Sequence, residues 1–263
     1  MTQAVKQALK RCDLLGFFTH PGTSNDYLRL VKRTIDNRSV STIYYHNLHT
    51  LYLYFTSKSC KRTFENKTVI VDGMVLLFIH KLARFQFSRE YRVTYVEFII
   101  PLMKLARDSG WRVFHIGQDA DTLDTALAKI RSKVPGIEIT GHHGYFDLTH
   151  SSNETQQVIK RVNDFSTDLL LVGLGSPAQE LWVDTYRDQL NSSVVMTCGS
   201  CMDYVAGKVK AAPRWMSRIG LEAIFRIYAD PKRVAFRYLV EPFILGFILL
   251  RNWLCQLGKP KHK

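Results

Sequence analysis

From about Ser41 to Asn191 the chain alternates short apolar runs with longer amphipathic stretches. Strands buried on both faces read as short continuous apolar runs, and helices carry an apolar stripe at a period near 3.6, so this alternation predicts βαβ units. The spacing predicts strands at Thr42–Tyr45, Thr68–Val71, Arg112–Ile116, Ile137–Thr140, Asp168–Val172 and Ser193–Thr197. Helices are expected between them, at His49–Ser57, Met74–Ala83, Val96–Ser109, Thr122–Lys133, Glu154–Asp164 and Gln179–Gln189. Gly110 and Gly136 stand where helices should stop. The expected class is α/β, a mostly parallel sheet flanked by helices.

From Ala206 onward strand-like runs disappear. Helical periodicity carries Lys208, Lys210, Arg214, Arg218, Arg226, Lys232, Arg233, Arg237 and Arg251, with large apolar residues such as Trp215, Phe225, Phe236, Phe243 and Phe247 between them. Residues 1–205 are therefore expected to form an α/β domain and residues 206–263 a helical, basic appendage. Mixed aromatic and basic residues suit a helix lying at a lipid surface, and they equally suit an amphipathic subdomain with a solvated basic face.

Charge narrows the partners. The 263 residues include 36 Lys+Arg and 23 Asp+Glu, a formal net charge of +13. That excess favours a polyanion: nucleic acid, anionic lipid headgroups or a phosphorylated substrate. Five scattered cysteines argue against a disulfide framework and for a reducing compartment. The opening MTQAVKQALKRCDLLGFF is interrupted by Lys6, Lys10, Arg11 and Asp13, unlike a signal peptide. The longest apolar run in the tail, Phe243 to Leu250, stops at Arg251, short of the roughly 20 residues that cross a bilayer. An intracellular protein that does not span a membrane is expected.

Ligands of parallel α/β sheets bind at the carboxyl ends of the strands, so the residues just after each run carry the candidate chemistry. Asp72, in VIVDGM, is placed to act as a general base or to cap the next helix. In VGLGSPAQE (Val172–Glu180), Gly173 and Gly175 free the backbone, Ser176 and Pro177 read as N-cap and first helical residue, and the N–H groups there could receive a phosphate. The alternative is a plain strand-to-helix turn, with Gln179 and Glu180 facing solvent. His142, His143 and Asp147 in GHHGYFD, with His46 and His49, lack the spacing of a metal site, and no metal is expected. Cys198–Gly199–Ser200–Cys201 is formally a CxxC, better explained as small residues after a buried strand than as a redox centre. Thr94 with Glu97 reads as a capping box, and Arg92 beside it could meet an anion.

In order, the segments YYHNLHTLYLYF, VDGM, RVTYVEF, GWRVFHIGQ, GHHGYFD, DLLLVGLGSPAQE and CGSCMDYVAGKVKAAPRWMSRIGLEAIFRIYADPKRVAFRYLVEP resemble the WecG/TagA/CpsF family, glycosyltransferase family twenty-six. The likeness runs from about Thr42 to Pro242 and is most specific over Ala206–Pro242. It implies a Rossmann-like, inverting, metal-independent enzyme with no cofactor, taking a sugar from a UDP-sugar to a sugar on a polyprenyl diphosphate. By the resemblance Asp72 is the base and Gln179 the second catalytic residue, a positioner of sugar or phosphate. Asn47, Arg92, Gly117, Gly175, Pro177, Glu180 and Asp203 would contribute to substrate binding. Arg214, Arg218, Arg226, Arg233 and Arg237 would clamp the diphosphate and meet an anionic membrane. A peripheral place on the cytoplasmic face of a bacterial inner membrane follows, with a homo-oligomer left open. Tyr45–His46 stands where the family often has Thr-Pro, Ala178 where it often has Lys, and Cys198–Asp203 where it often has a glycine-rich turn. Several segments look more like exopolysaccharide members of the xanthan-pathway type, which leans towards glucose over N-acetylmannosamine or its uronic acid.

Two other classes compete. A nucleotide-dependent oxidoreductase would want an early glycine fingerprint and a ribose-binding acid, which the chain lacks. A nucleic-acid-binding module would want a basic stripe with base-stacking aromatics, whereas here Leu239, Ile244, Leu245, Ile248 and Leu249 interleave, which suits lipid better. Nucleic acid is not an expected partner.

Overall fold

The computed structural model describes residues 9, 11–73, 76–77, 79, 89–149, 151–210, 212, 216, 222–229 and 231–257; the side chains at 222–223, 229, 231–233, 253 and 255–257 are not part of the description. Strand β3 is Ser41–His46, β4 Thr68–Val71, β5 Arg112–Gly117, β6 Glu138–His142, β7 Leu169–Gly173 and β8 Val194–Thr197. They form one sheet in the order β4-β3-β8-β7-β5-β6, and every neighbouring pair is parallel. All six predicted strands are present within two residues of their expected ends.

The central strands β7 and β8 are buried along their whole length because both faces are covered. In β7, Leu169 and Leu171 enter one hydrophobic cluster and Leu170 and Val172 the other, the two-residue period of a pleated strand. Helices α4 (Tyr95–Asp108), α5 (Ala120–Lys133) and α8 (Cys201–Ala206) cover the first face. Helices α2 (Leu48–Thr56), α6 (Asn153–Asp164) and α7 (Ala178–Tyr186) cover the second. This is a doubly wound, Rossmann-like layering. Of the expected helix Met74–Ala83, only Leu76, Leu77 and Ile79 lie among the described residues, and all three are helical.

Two features went unpredicted. A small antiparallel hairpin pairs β1 (Cys12–Leu14) with β2 (Phe17–Thr19). Its two turn residues, Leu15 and Gly16, have φ of 54° and 93°, as a two-residue hairpin turn of the primed type requires. Helix α1 (Ser24–Asp36) follows, started by a reciprocal capping box between Thr23 and Asp26, and it buries Tyr27, Leu30, Val31, Thr34 and Ile35 on one stripe. Local start signals were corrected in two places. Thr94 is the N-cap of α4 but makes no side-chain cap bond, its hydroxyl reaching Glu97 Oε2 at 3.4 Å instead. Pro177, not Ser176, is the N-cap of α7, and the Ser176 hydroxyl donates to Glu180 Oε1 at 2.9 Å.

The tail builds helices α9 (Glu222–Ala229), α10 (Pro231–Leu239) and α11 (Glu241–Leu257); a short helix, α3 (Lys58–Thr63), lies earlier in the chain. The apolar run stops at Arg251 while helix α11 continues to Leu257, and no helix among the described residues is long and apolar enough to cross a membrane. Helix α11 is docked on the α/β core: Leu245 is 1% exposed within the second hydrophobic cluster, and Leu249 packs beside it. At the tail's start, Lys208 Nζ meets Asp119 Oδ2 at 2.5 Å and Lys129 Nζ donates to the Ala206 carbonyl at 2.5 Å, tying it to α5.

Two buried histidines set an acid limit on this fold. The Val69 N–H donates to His20 Nδ1 at 3.1 Å, which leaves no room for a proton on that nitrogen. Burial, with the nearby Arg11 charge, pushes the His20 imidazole down from 6.5 to about 4. Burial likewise pushes His115 down to about 4, against the Gln118 hydrogen bond that favours its charged form. In the unfolded chain both take up protons near pH 6.5, so stability rises with pH between about 4 and 6.5 and is lost on acidification through that window. At pH 5 each histidine is expected to cost about 2 kcal/mol relative to pH 7.5. Urea midpoints at the two pH values check this, and His20→Gln should roughly halve the difference, leaving the share of His115.

Candidate active site

The carboxyl ends of β4, β3, β8 and β7, adjacent in the sheet, open into a cavity of about 870 Å³. That is within the size range of small-molecule sites and sits where parallel sheets bind ligands. Each strand end contributes. Tyr45 and Asn47 come from β3, Asp72 from β4, Gly175, Ser176 and Gln179 from the turn after β7, and Cys198 to Cys201 from the turn after β8. Arg92, Tyr95 and Glu97 enter from the start of α4, and Arg226 and Arg237 from the appendage.

Asp72 is set by the sheet register. The β3–β4 ladder ends with His46 opposite Val71, and the Asp72 N–H then donates to the His46 carbonyl at 2.7 Å. This holds the carboxylate-bearing residue at the strand tip beside Asn47. Asn47 is the N-cap of α2; its Oδ1 accepts from the Thr50 N–H at 3.1 Å, and Thr50 Oγ1 accepts in return from the Asn47 N–H at 2.9 Å.

Gln179 lines the cavity yet is 3% exposed, because its amide is spent on the protein. Its Nε2 donates to Glu180 Oε1 at 2.7 Å and to Ser176 Oγ at 3.2 Å, while its Oε1 accepts from the Gly199 N–H at 3.0 Å. A second glutamine grips the same glycine from the other side: Gln118 Nε2 donates to the Gly199 carbonyl at 3.3 Å, and Gln118 Oε1 accepts from His115 Nε2 at 2.6 Å. Gln179 thus fixes the β7 and β8 turns to each other. Burial pushes the Glu180 carboxyl up, opposed by its hydrogen bonds from Gln179 and Ser176 and by the charge of Arg237.

The appendage closes one side. Arg226 donates from Nη1 to the Tyr238 hydroxyl at 3.2 Å and lies over the Tyr204 ring at 5.7 Å. Arg237 acts electrostatically on both His49 and Glu180. His49 Nδ1 donates to the Glu241 carboxylate, 2.9 and 2.8 Å from its two oxygens, with both side chains nearly buried. Sequence reasoning singled out His49 only as a possible metal ligand and missed Glu241. An acidic residue inside an apolar, basic tail was the available signal.

The remaining expectations sort by position. Gly117, Pro177, Glu180 and Asp203 do not line the cavity. Gly117 is instead a packing glycine: a Cβ there would lie 2.7 Å from the Gly173 carbonyl oxygen. Arg214 and Arg218 lie outside the described residues, as does the side chain of Arg233. His142 Nδ1 donates to the His143 carbonyl at 2.8 Å, and among the described residues no three His, Cys, Asp or Glu side chains are grouped as metal ligands would be. Cys198 and Cys201 are free, buried thiols in the cavity wall.

Comparison with known proteins shows the family. The family described as glycosyl transferase WecG/TagA/CpsF matches residues 12–259. The N-acetylglucosaminyldiphosphoundecaprenol N-acetyl-beta-D-mannosaminyltransferases of Staphylococcus aureus strains NCTC 8325 / PS 47 and COL are each 28% identical to this chain over 219 residues, 83% of this chain and 78% of theirs. The corresponding protein of strain MRSA252 is similar to the same extent, 28% over 219 residues. A match over nearly the whole chain, with the strand-tip aspartate and appendage arginines in one cavity, makes the conclusion direct: this chain is a glycosyltransferase belonging to the WecG/TagA/CpsF family.

Proposed function

We propose that the cavity holds a UDP-sugar against the sugar end of a polyprenyl-diphosphate-linked acceptor, and that Asp72 removes the proton from the acceptor hydroxyl as it attacks the anomeric carbon. The C1–O bond to UDP breaks as the new glycosidic bond forms, so one displacement inverts the anomeric centre. The supporting observation is that Asp72 shares one cavity with two arginines, Arg226 and Arg237, from a different part of the chain. A base suits the nucleophile, and fixed cations suit the negative charge that develops on the leaving diphosphate. In this proposal no metal or other cofactor takes part. Arg92 and the Asn47 amide N–H₂ serve as further substrate donors, and Gln179 keeps the two strand-end turns in place.

The transferred sugar is proposed to be N-acetylmannosamine rather than glucose. The lean towards glucose rested on segment likeness to exopolysaccharide members. The curated relatives are named as N-acetylmannosaminyltransferases acting on N-acetylglucosaminyldiphosphoundecaprenol, which favours the alternative.

The division into a 1–205 catalytic domain and a 206–263 appendage that docks on an anionic membrane is part of the same proposal. Ile224, Tyr228, Phe236, Leu239, Phe243, Phe247, Leu250 and Leu254 are each more than half exposed, and the four in α11 recur every three or four residues on one face. Exposed apolar residues aligned along a helix of a tail that is basic as a whole, though α11 itself carries one Glu and one Arg, suit a lipid interface better than a merely solvated basic face. The proposed place of action is peripheral, on the cytoplasmic face of a bacterial inner membrane. A mass-spectrometric transfer assay with a panel of UDP-sugars and synthetic polyprenyl-diphosphate N-acetylglucosamine tests the reading: UDP-N-acetylmannosamine should give a product one N-acetylhexosamine heavier. No product from any donor would defeat it.

A further inference from the structure

Tyr45 is the next-to-last residue of β3 and lines the cavity. Its ring is stacked on Tyr95, with centroids 3.7 Å apart and planes at 29°. Both tyrosines are clamped to Thr197 at the tip of β8: the Tyr45 N–H donates to Thr197 Oγ1 at 3.1 Å, and the Tyr95 hydroxyl donates to the Thr197 carbonyl at 2.6 Å. The Tyr95 phenol is therefore satisfied. The Tyr45 phenol is not. The residue is only 6% exposed, and its hydroxyl has no hydrogen-bond partner among the described residues.

Buried polar groups in folded proteins are almost always paired, because an unpaired one loses its water contacts without replacement. An unpaired hydroxyl, closed off from solvent on a residue that lines a binding cavity, is explained if the bound ligand presses in and supplies the missing partner. Its chemistry is also determined. Burial, followed by the negative charge of Asp72, raises the phenol well above its ordinary value, so it is a protonated donor, not a phenolate. Tyr45 and Asp72 line the same cavity from the paired ends of β3 and β4, which puts the phenol on the side of the site that holds the proposed base.

We propose that Tyr45 is a further substrate-binding residue, whose hydroxyl donates a hydrogen bond to an oxygen of the sugar bound next to Asp72. The inference rests on the transferase reading above and adds a contact at the position where the family resemblance breaks. A hydroxyl or acetamido carbonyl of the sugar fits this donor. An apolar substituent does not.

Tyr45→Phe is the test, since it keeps the stacked ring and deletes only the hydroxyl. Without ligand, the melting temperature should hold or rise by about 2–4 °C, because removing an unpaired buried polar group relieves a desolvation cost. In the transfer assay kcat/KM should fall roughly tenfold, the loss of about one hydrogen bond in the bound state. A protein that is destabilised, or one that keeps kcat/KM within about twofold of wild type, overturns the inference. Wild type and Asp72→Asn are run alongside. If wild type transfers, Asp72→Asn does not and Tyr45→Phe equals wild type, the Tyr45 contact fails alone. If wild type transfers from no UDP-sugar, the transferase reading fails and the inference falls with it.

Discussion

Asp72→Asn should lower the rate of sugar transfer by roughly 10²–10⁴-fold, the usual contribution of a positioned general base. The substitution is nearly isosteric, and the backbone bond that fixes the residue, from its N–H to the His46 carbonyl, does not involve the side chain. The fold and UDP binding should therefore persist. A UDP titration by calorimetry and a thermal melt separate loss of chemistry from loss of structure. Turnover within a few-fold of wild type would remove Asp72 from the role of base. A loss of UDP affinity equal to the loss of rate would assign it to binding.

The double variant Arg226→Ala with Arg237→Ala should cost roughly 10²–10³-fold in kcat/KM, even on a short, water-soluble acceptor analogue. Two fixed cations in the cavity stabilise a leaving diphosphate more than they stabilise the bound ground state, so the loss should appear in kcat as well as in KM. A tail that served only as an anchor would lose liposome binding in such variants and keep its rate on the soluble acceptor. Point substitutions are cleaner than cutting the chain after Val205. Helix α11 buries Leu245 in the second hydrophobic cluster and pairs Glu241 with His49, so removing it would uncover part of the catalytic core.

The sheet was legible because its strands are buried on both faces. VIV at Val69–Val71 and LLLV at Leu169–Val172 have no polar position to be misread, and the helices between them keep a clear apolar stripe. The hairpin Cys12–Thr19 was hidden for the opposite reason. Its strands are three residues each, too short for a period to show, and its turn depends on Leu15 adopting a positive φ that a leucine does not advertise. Strand-tip position made Asp72, Asn47 and Gln179 readable as site residues before any geometry was known. What each does with its atoms was not readable. The commitment of both ends of the Gln179 amide to Gly199, Ser176 and Glu180 depends on how two turns meet, about twenty residues apart in sequence. The same holds for Tyr45, whose unpaired hydroxyl is visible only once Tyr95 and Thr197 are in place around it.

The most direct measurement is the anomeric configuration of the transferred sugar, read by NMR from the one-bond carbon–hydrogen coupling at C1 of the product. A single displacement driven by Asp72 converts the α-linked donor into a β-linked product. A β product from wild type, absent with Asp72→Asn, is the expected result. An α-linked product would mean retention, by two displacements or by attack on the face the diphosphate leaves, and would contradict the single in-line displacement assigned to Asp72.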